Sequence, residues 1–139
     1  MRIVGLDLGA RRIGVAVSDA AGLTAQPVTV IERGNAAADV QALCAIAKTH
    51  EAGRIVVGLP LTLEGARGPQ AQRVGSFVDL LRRACGLPIV LVDERFTTAQ
   101  AARALRPTGA IRRRGKGILD VSAAQLILQT YLDGCQRAS

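Results

Sequence analysis

Arg2-Ile3-Val4-Gly5-Leu6-Asp7-Leu8, closed by Gly9, followed by Ile13-Gly14-Val15-Ala16-Val17-Ser18, is the stretch on which the fold turns. Residues 2–8 are almost all apolar and stop at a glycine. A short, β-rich apolar run bounded in this way reads as a strand buried on both faces. Residues 13–18 read as a second strand, and the link Gly9-Ala10-Arg11-Arg12 is short enough for a hairpin. Residues 28–32, after Pro27, supply a third strand. Three antiparallel strands therefore open the chain.

The period then changes. Val40, Leu43, Cys44 and Ala47 recur at helical spacing, with Gly34-Asn35 ahead of them as a cap and Gly53 behind them as a stop. Residues 54–59 read as a fourth strand, halted by Pro60, and residues 61–68 as a loop. Pro69 suits the first turn of a helix that carries Val74, Phe77, Val78, Leu81 and Cys85 on one face and closes at Gly86. Residues 88–93 form a fifth strand, and Thr97 caps a short helix over 98–105. Residues 106–117 have no periodicity and read as a loop. A last helix runs over about 120–133, with Gly134 as its stop. The order predicts an α/β fold: a mixed five-stranded sheet, three antiparallel strands and then βαβαβ, flanked by helices.

Composition narrows the function. With 139 residues, 49% of them apolar, the chain has the size of one cored domain spanning 1–139. Its net charge is +7, and sixteen of its 18 basic residues are arginine. A small basic domain points to a polyanionic partner. Phe77, Phe96 and Tyr131 are too few for a platform that stacks single-stranded bases. No apolar run is long enough to span a membrane, and the N-terminus lacks the apolar core of a signal peptide, so a cytoplasmic protein is expected. Cys44, Cys85 and Cys135 are odd in number, far apart and outside C-x-x-C spacing, which suits a reducing compartment. With His50 as the one histidine, a Cys/His zinc site is excluded.

Three carboxylates sit at the ends of elements. Asp7 closes the first strand, Glu94 follows the fifth, and Asp120 opens the last helix. Ligands of open α/β sheets collect beyond the carboxyl ends of parallel strands, where these groups can converge. Gathered carboxylates either take up protons or bind cations, and hard oxygen donors favour Mg²⁺ or Mn²⁺. A pair of such ions about 3.5–4 Å apart is a common device for cleaving phosphodiesters. Simpler roles stand beside this one. Asp7 can cap a turn before Gly9, Asp120 can serve a helix N-terminus, and Glu94 can pair with Arg95 or Arg33.

The basic segment is the second signal. Arg106, Arg112, Arg113, Arg114 and Lys116 supply +5 of the +7 within residues 106–117. Lying just before Asp120, they are placed to hold phosphate, and Arg11, Arg12 and Arg67 extend the patch. The alternative is a solvated loop. Gly5, Gly9 and Gly14 match neither a dinucleotide-binding fingerprint nor a P-loop. Gly9 answers to turn geometry or to close approach of a ligand.

Four segments together resemble the YqgF/RuvX family. They are Gly5-Leu6-Asp7-Leu8-Gly9 with Arg12-Ile13-Gly14-Val15-Ala16-Val17-Ser18, then Val57-Gly58-Leu59-Pro60-Leu61, then Asp93-Glu94-Arg95-Phe96-Thr97-Thr98, then Gly115-Lys116-Gly117 with Asp120, Ser122, Ala123 and Ala124. The resemblance implies a ribonuclease-H-like fold and a metal-dependent nuclease. The family is described both as a Holliday-junction resolvase and as a nuclease maturing the 5′ end of pre-16S rRNA. It assigns Asp7, Glu94 and Asp120 as catalytic and metal-binding residues, and brings Arg95 into the phosphate-binding set. RuvC-type resolvases carry a fourth carboxylate three residues after the third, where this chain has Ala123.

The expected partner is thus a ribosomal RNA precursor or branched DNA, with no membrane. Symmetric cutting of a junction needs two active sites and hence a homodimer, whereas trimming an RNA end needs one active site, which a monomer supplies. A non-catalytic nucleic-acid adaptor of the same fold is the competing reading. Two-domain ATP-binding proteins that open with a similar D-x-G segment are disfavoured by chain length.

Overall fold

In a computed structural model, the backbone is described for residues 1–9, 11–59, 69–93 and 116–138, and side chains for these except 59, 69–71, 93, 116–122 and 136–138. The N-terminal apolar run forms β1 (Arg2–Leu8), with every residue after Arg2 buried. It turns into β2 (Arg12–Ser18) and β3 (Ala25–Glu32). Then come α1 (Ala36–Thr49), β4 (Ala52–Leu59), α2 (Pro69–Cys85), β5 (Ile89–Asp93) and α3 (Lys116–Ala138). The strands form one mixed sheet in the order β3-β2-β1-β4-β5. β2 is antiparallel to β1 and β3, while β4 is parallel to β1 and β5. This is the expected mixed sheet.

Strand alternation divides the core in two. Val4, Leu6 and Leu8 point to one face, where Val40, Leu43 and Ala47 of α1 and Val74, Phe77, Val78 and Leu81 of α2 cover them. Ile3 points to the other, where it meets Ala123, Ala124, Ile127, Leu128 and Leu132 of α3. Gly5 belongs to this second face. A Cβ there would lie 2.6 Å from Leu128 Cβ and 3.2 Å from the Ala124 carbonyl oxygen, so glycine lets the helix lie directly on β1.

Several boundaries differ from the sequence expectation. β3 begins before Pro27, which the ladder accommodates on an edge strand at a register shift opposite Val15 and Ala16. Gly53 is not the stop of α1 but part of β4. The helix ends at His50, whose N–H donates to Ile46 O, and the reversal falls on Glu51 at φ 54°. α3 starts at Lys116, so Lys116 and Gly117 are helical rather than loop. It also runs through Gly134 instead of ending there, since an interior helical glycine costs only about 1 kcal/mol. Gly86, at φ 69°, closes α2 as expected. The short helix expected over 98–105 lies outside the described residues.

The cysteines also depart from expectation. Cys44 of α1 and Cys85 of α2 form a disulfide, with Cα atoms 5.4 Å apart. They are 41 positions apart in sequence, and only the packing of α1 beside α2 brings them together. Cys135 lies outside the bridge and is exposed.

Three predictions of stability follow from local geometry. Gly5→Ala forces a Cβ into α3 and should lower the urea midpoint by an amount equivalent to about 1–3 kcal/mol. Gly75→Ala, in α2 with nothing within 4 Å of the added carbon, should raise it. A midpoint unmoved by Gly5→Ala would mean that α3 does not rest on β1. The β2–β3 turn gives the third. Asp19 Oδ1 accepts from the backbone N–H of Leu23 at 2.7 Å and of Thr24 at 3.2 Å, and these bonds hold its carboxyl below the ordinary 3.8. A depressed folded value stabilises above the ordinary value and is lost as pH falls through the lower one. Asp19→Ala should therefore lower the melting temperature at neutral pH, and the difference from the parent should vanish once the parent's carboxyl is protonated.

Candidate active site

Asp7 is the candidate acid that the described side chains include. It lies in the last turn of alternation of β1 and is 2% exposed. A carboxylate at that depth is sustained only by polar or cationic partners. Ile3 and Gly5 face α3, so period two assigns Asp7 to the same face. Its antiparallel neighbour in the ladder is Gly14. On the parallel side, one step beyond the Leu6–Val57 pair, stands Gly58. Neither neighbouring strand puts a side chain beside the carboxylate. The sequence reading took Gly14 and Gly58 as members of motifs and missed this spacing role, which needs the register of three strands to see.

The register of α3 follows from its polar clamps. Ala25 N donates to Gln129 Oε1 at 2.9 Å, and Gln125 Nε2 donates to Ala25 O at 3.0 Å. Arg54 Nη1 donates to Tyr131 Oη at 2.6 Å. Ala25 pairs with Ser18, whose Oγ accepts from Ile3 N at 2.8 Å. The later half of α3 therefore lies over the start of β1, and its N-terminal end points to the rim where β1 ends. Position 120 is one turn before Ala124 on the sheet-facing stripe. Asp93 ends β5 on that same rim, opposite Leu59.

The rim's cations are arranged in part by the β1–β2 turn. Gly9 N donates to Arg12 O at 2.9 Å, and a Cβ on Gly9 would fall 2.8 Å from that oxygen, so turn geometry accounts for this glycine. Arg33 N donates to Arg11 O at 2.8 Å, and Arg33 Nη1 donates to Gly9 O at 2.8 Å. The guanidinium also lies 5.2 Å from the centre of the Phe77 ring. Arg33, weighed from sequence only as a partner for Glu94, thus braces the turn that follows Asp7. Arg11 is exposed, and Arg12 Nε meets Glu32 Oε1 at 3.0 Å.

The other predicted site residues fall differently. Lys116 and Asp120 have helical backbone in α3, with side chains outside the description. Glu94, Arg67, Arg95, Arg106, Arg112, Arg113 and Arg114 lie outside the described residues. Among the described residues no three acids, histidines or cysteines cluster as metal ligands. What Asp7 offers a hard cation is a buried oxygen donor at a strand end with side-chain-free flanks, which fits Mg²⁺ or Mn²⁺ rather than a soft metal. No helix among the described residues is long and apolar enough to cross a membrane.

Comparison with known proteins gives a consistent result. The family model RuvX, described as Holliday junction resolvase, matches residues 1–134. A Myxococcus xanthus protein named "Putative pre-16S rRNA nuclease" is 45% identical over 133 residues, covering 96% of this chain and 88% of its own. A Moorella thermoacetica protein of the same name is 47% identical over 133 residues, covering 96% of this chain and 95% of its own. T. thermophilus RuvC in complex with a Holliday junction substrate aligns with a TM-score of 0.64 at 11% identity, over 100% of this chain and 98% of that one. The Fowlpox virus resolvase in complex with Holliday junction DNA aligns with a TM-score of 0.58 at 9% identity, over 97% and 99%. At these identities the structural likeness speaks for the fold alone. That fold is ribonuclease-H-like, as the four motifs implied.

Arg33→Ala removes a charge-assisted hydrogen bond and a cation–π contact from the turn after Asp7. It should destabilise the protein by about 1–2 kcal/mol in urea unfolding. Arg33→Lys, which keeps the charge but not the planar fork, should recover less than half of that. An unchanged midpoint for Arg33→Ala would show that the turn stands without it.

Proposed function

The chain belongs to the RuvX family, and from that membership we propose that it is a metal-dependent nuclease that hydrolyses phosphodiester bonds of structured nucleic acid. Its work is pre-16S rRNA 5′-end processing or Holliday-junction resolution, and its setting is the cytoplasm. The observation that carries this reading is the buried Asp7 carboxylate at the carboxyl end of β1, on the face that α3 covers.

Asp7, Glu94 and Asp120 are the residues that would hold Mg²⁺ or Mn²⁺. The bound ions would supply an activated water and stabilise the leaving oxygen. Two features support the grouping. Position 120 continues the Ala124–Leu128 stripe toward the Asp7 end of β1. β5, after which Glu94 comes in sequence, is parallel to β4 and ends with Asp93 opposite Leu59, at the same end of the sheet as Asp7. The rest of the chain handles the substrate. Arg11 lies in the β1–β2 turn and Arg12 opens β2. Arg67, Arg95, Arg106, Arg112, Arg113, Arg114 and Lys116 are proposed to bind its phosphates and set its path. The N-terminal end of α3 adds the positive end of a helix dipole to the same rim.

The test is a cleavage assay that offers a four-way DNA junction, a flap and a pre-16S rRNA 5′ precursor side by side, with Mg²⁺ or Mn²⁺. Asp7→Asn should abolish cleavage of the preferred substrate while binding stays intact or tightens, because one negative charge is removed beside phosphate. Undiminished cleavage by Asp7→Asn would end the assignment. Tight binding with no cleavage by the parent protein would instead make the chain an adaptor.

A further inference from the structure

The Cys44–Cys85 pair lies on the sheet face away from Asp7, and the proposed nuclease does not use it. Both residues are half-buried, each packed against the α1–α2 core yet open on one side. That open side is a pocket of about 470 Å³, lined by both cysteines together with Lys48, Glu51, Ala84 and Leu87 among others. Its volume is within the range of small-molecule sites. Lys48 is one helical turn from Cys44, so its ammonium shares a face with that sulfur. A cation on that face draws in the carboxylate and the thiolate of an approaching small molecule, and thiolate is the form that exchanges. Lys48 and Glu51 are both exposed and put one positive and one negative charge at the mouth. That pairing matches an amphoteric small thiol, which carries a carboxylate and an ammonium of its own.

We propose that Cys44 and Cys85 are a thiol–disulfide exchange site, entered through this pocket by a low-molecular-weight amphoteric thiol or its disulfide. In the reducing direction the thiolate of the small molecule attacks one protein sulfur. The Cys44–Cys85 bond breaks, a mixed disulfide forms, and the other cysteine leaves as a thiolate. A second small thiolate attacks the mixed disulfide, releasing the small-molecule disulfide and leaving two reduced cysteines. The oxidising direction is the reverse, with one small disulfide consumed and two small thiols produced. Closing the bond ties α1 to the last residue of α2, just before the Gly86 turn into β5. In a reducing compartment such a bond is expected to be transient and responsive rather than permanent.

The experiment uses the full chain carrying Cys135→Ser, so that the exposed third thiol takes no part, and glutathione as the probe. Reduced protein treated with excess glutathione disulfide should lose both alkylatable thiols, reach a mass two hydrogens lower, and melt about 10 °C higher. Excess reduced glutathione should restore both thiols and the lower melting temperature. The Cys44→Ser, Cys135→Ser protein should instead stop at a glutathione adduct on Cys85. Lys48→Glu should slow the exchange several-fold without changing the reduced protein's melting temperature much. Two thiols still free after oxidation would overturn the proposal. So would a disulfide that reduced glutathione cannot open, since the bond would then be a fixed staple. An exchange rate indifferent to Lys48→Glu would remove the pocket from it. None of these readouts measures cleavage, so the outcome is independent of the nuclease reading.

Discussion

The contact between α3 and β1 at Gly5 decides where everything on the α3 face sits. With a side chain at position 5 the helix would have to lift or slide, because Leu128 Cβ and the Ala124 carbonyl already occupy that space. The small residues Ala16, Ala123 and Ala124 are buried in the same layer. A helix resting on glycine and alanine has little freedom to shift, and the Gln125, Gln129 and Tyr131 clamps fix its position along the strands. The opposite face is built from Leu, Ile, Val and Phe under two helices, where bulk rather than close approach provides the packing.

Given that seat, the depth of Asp7 follows. The carboxylate lies in the sheet's central strand, with another strand on each side and a helix layer on each face. Burying a charge in this way is unfavourable unless oppositely charged or hydrogen-bonding groups face it. Scaffolding of this stiffness is also what a reacting group needs, because sites on strands and helices hold geometry better than sites on loops. Gly14 and Gly58 serve the same end by subtraction: by adding no side chain they leave lateral room at the carboxylate.

Much of this was legible in the residues because the strongest signals are periodic. The runs at 2–8, 13–18 and 54–59 are strands wherever they are packed, and Val40, Leu43 and Ala47 leave no choice but a helix. Punctuation was less dependable. Gly53 and Gly134 look like stops, yet the first is in a strand and the second in a helix, because ladder pairing and packing outweigh local preference. Asp7 was readable as a strand-end acid. Its glycine flanks, the bracing by Arg33 and the Cys44–Cys85 bond were not, since each joins residues that only tertiary structure makes neighbours.

Ala123 shows how packing and chemistry constrain each other at this site. RuvC-type resolvases carry a fourth carboxylate at the matching place, but here the position is fully buried in the α3–sheet layer. An aspartate in that seat would need both space and a compensating charge, and the described members of its cluster, Ile3, Ala16, Ala124, Ile127 and Leu128 among them, are apolar. The same small side chain lets α3 lie close on the sheet. Close helix seating and a fourth acid are competing uses of a single position, and this chain has taken the first.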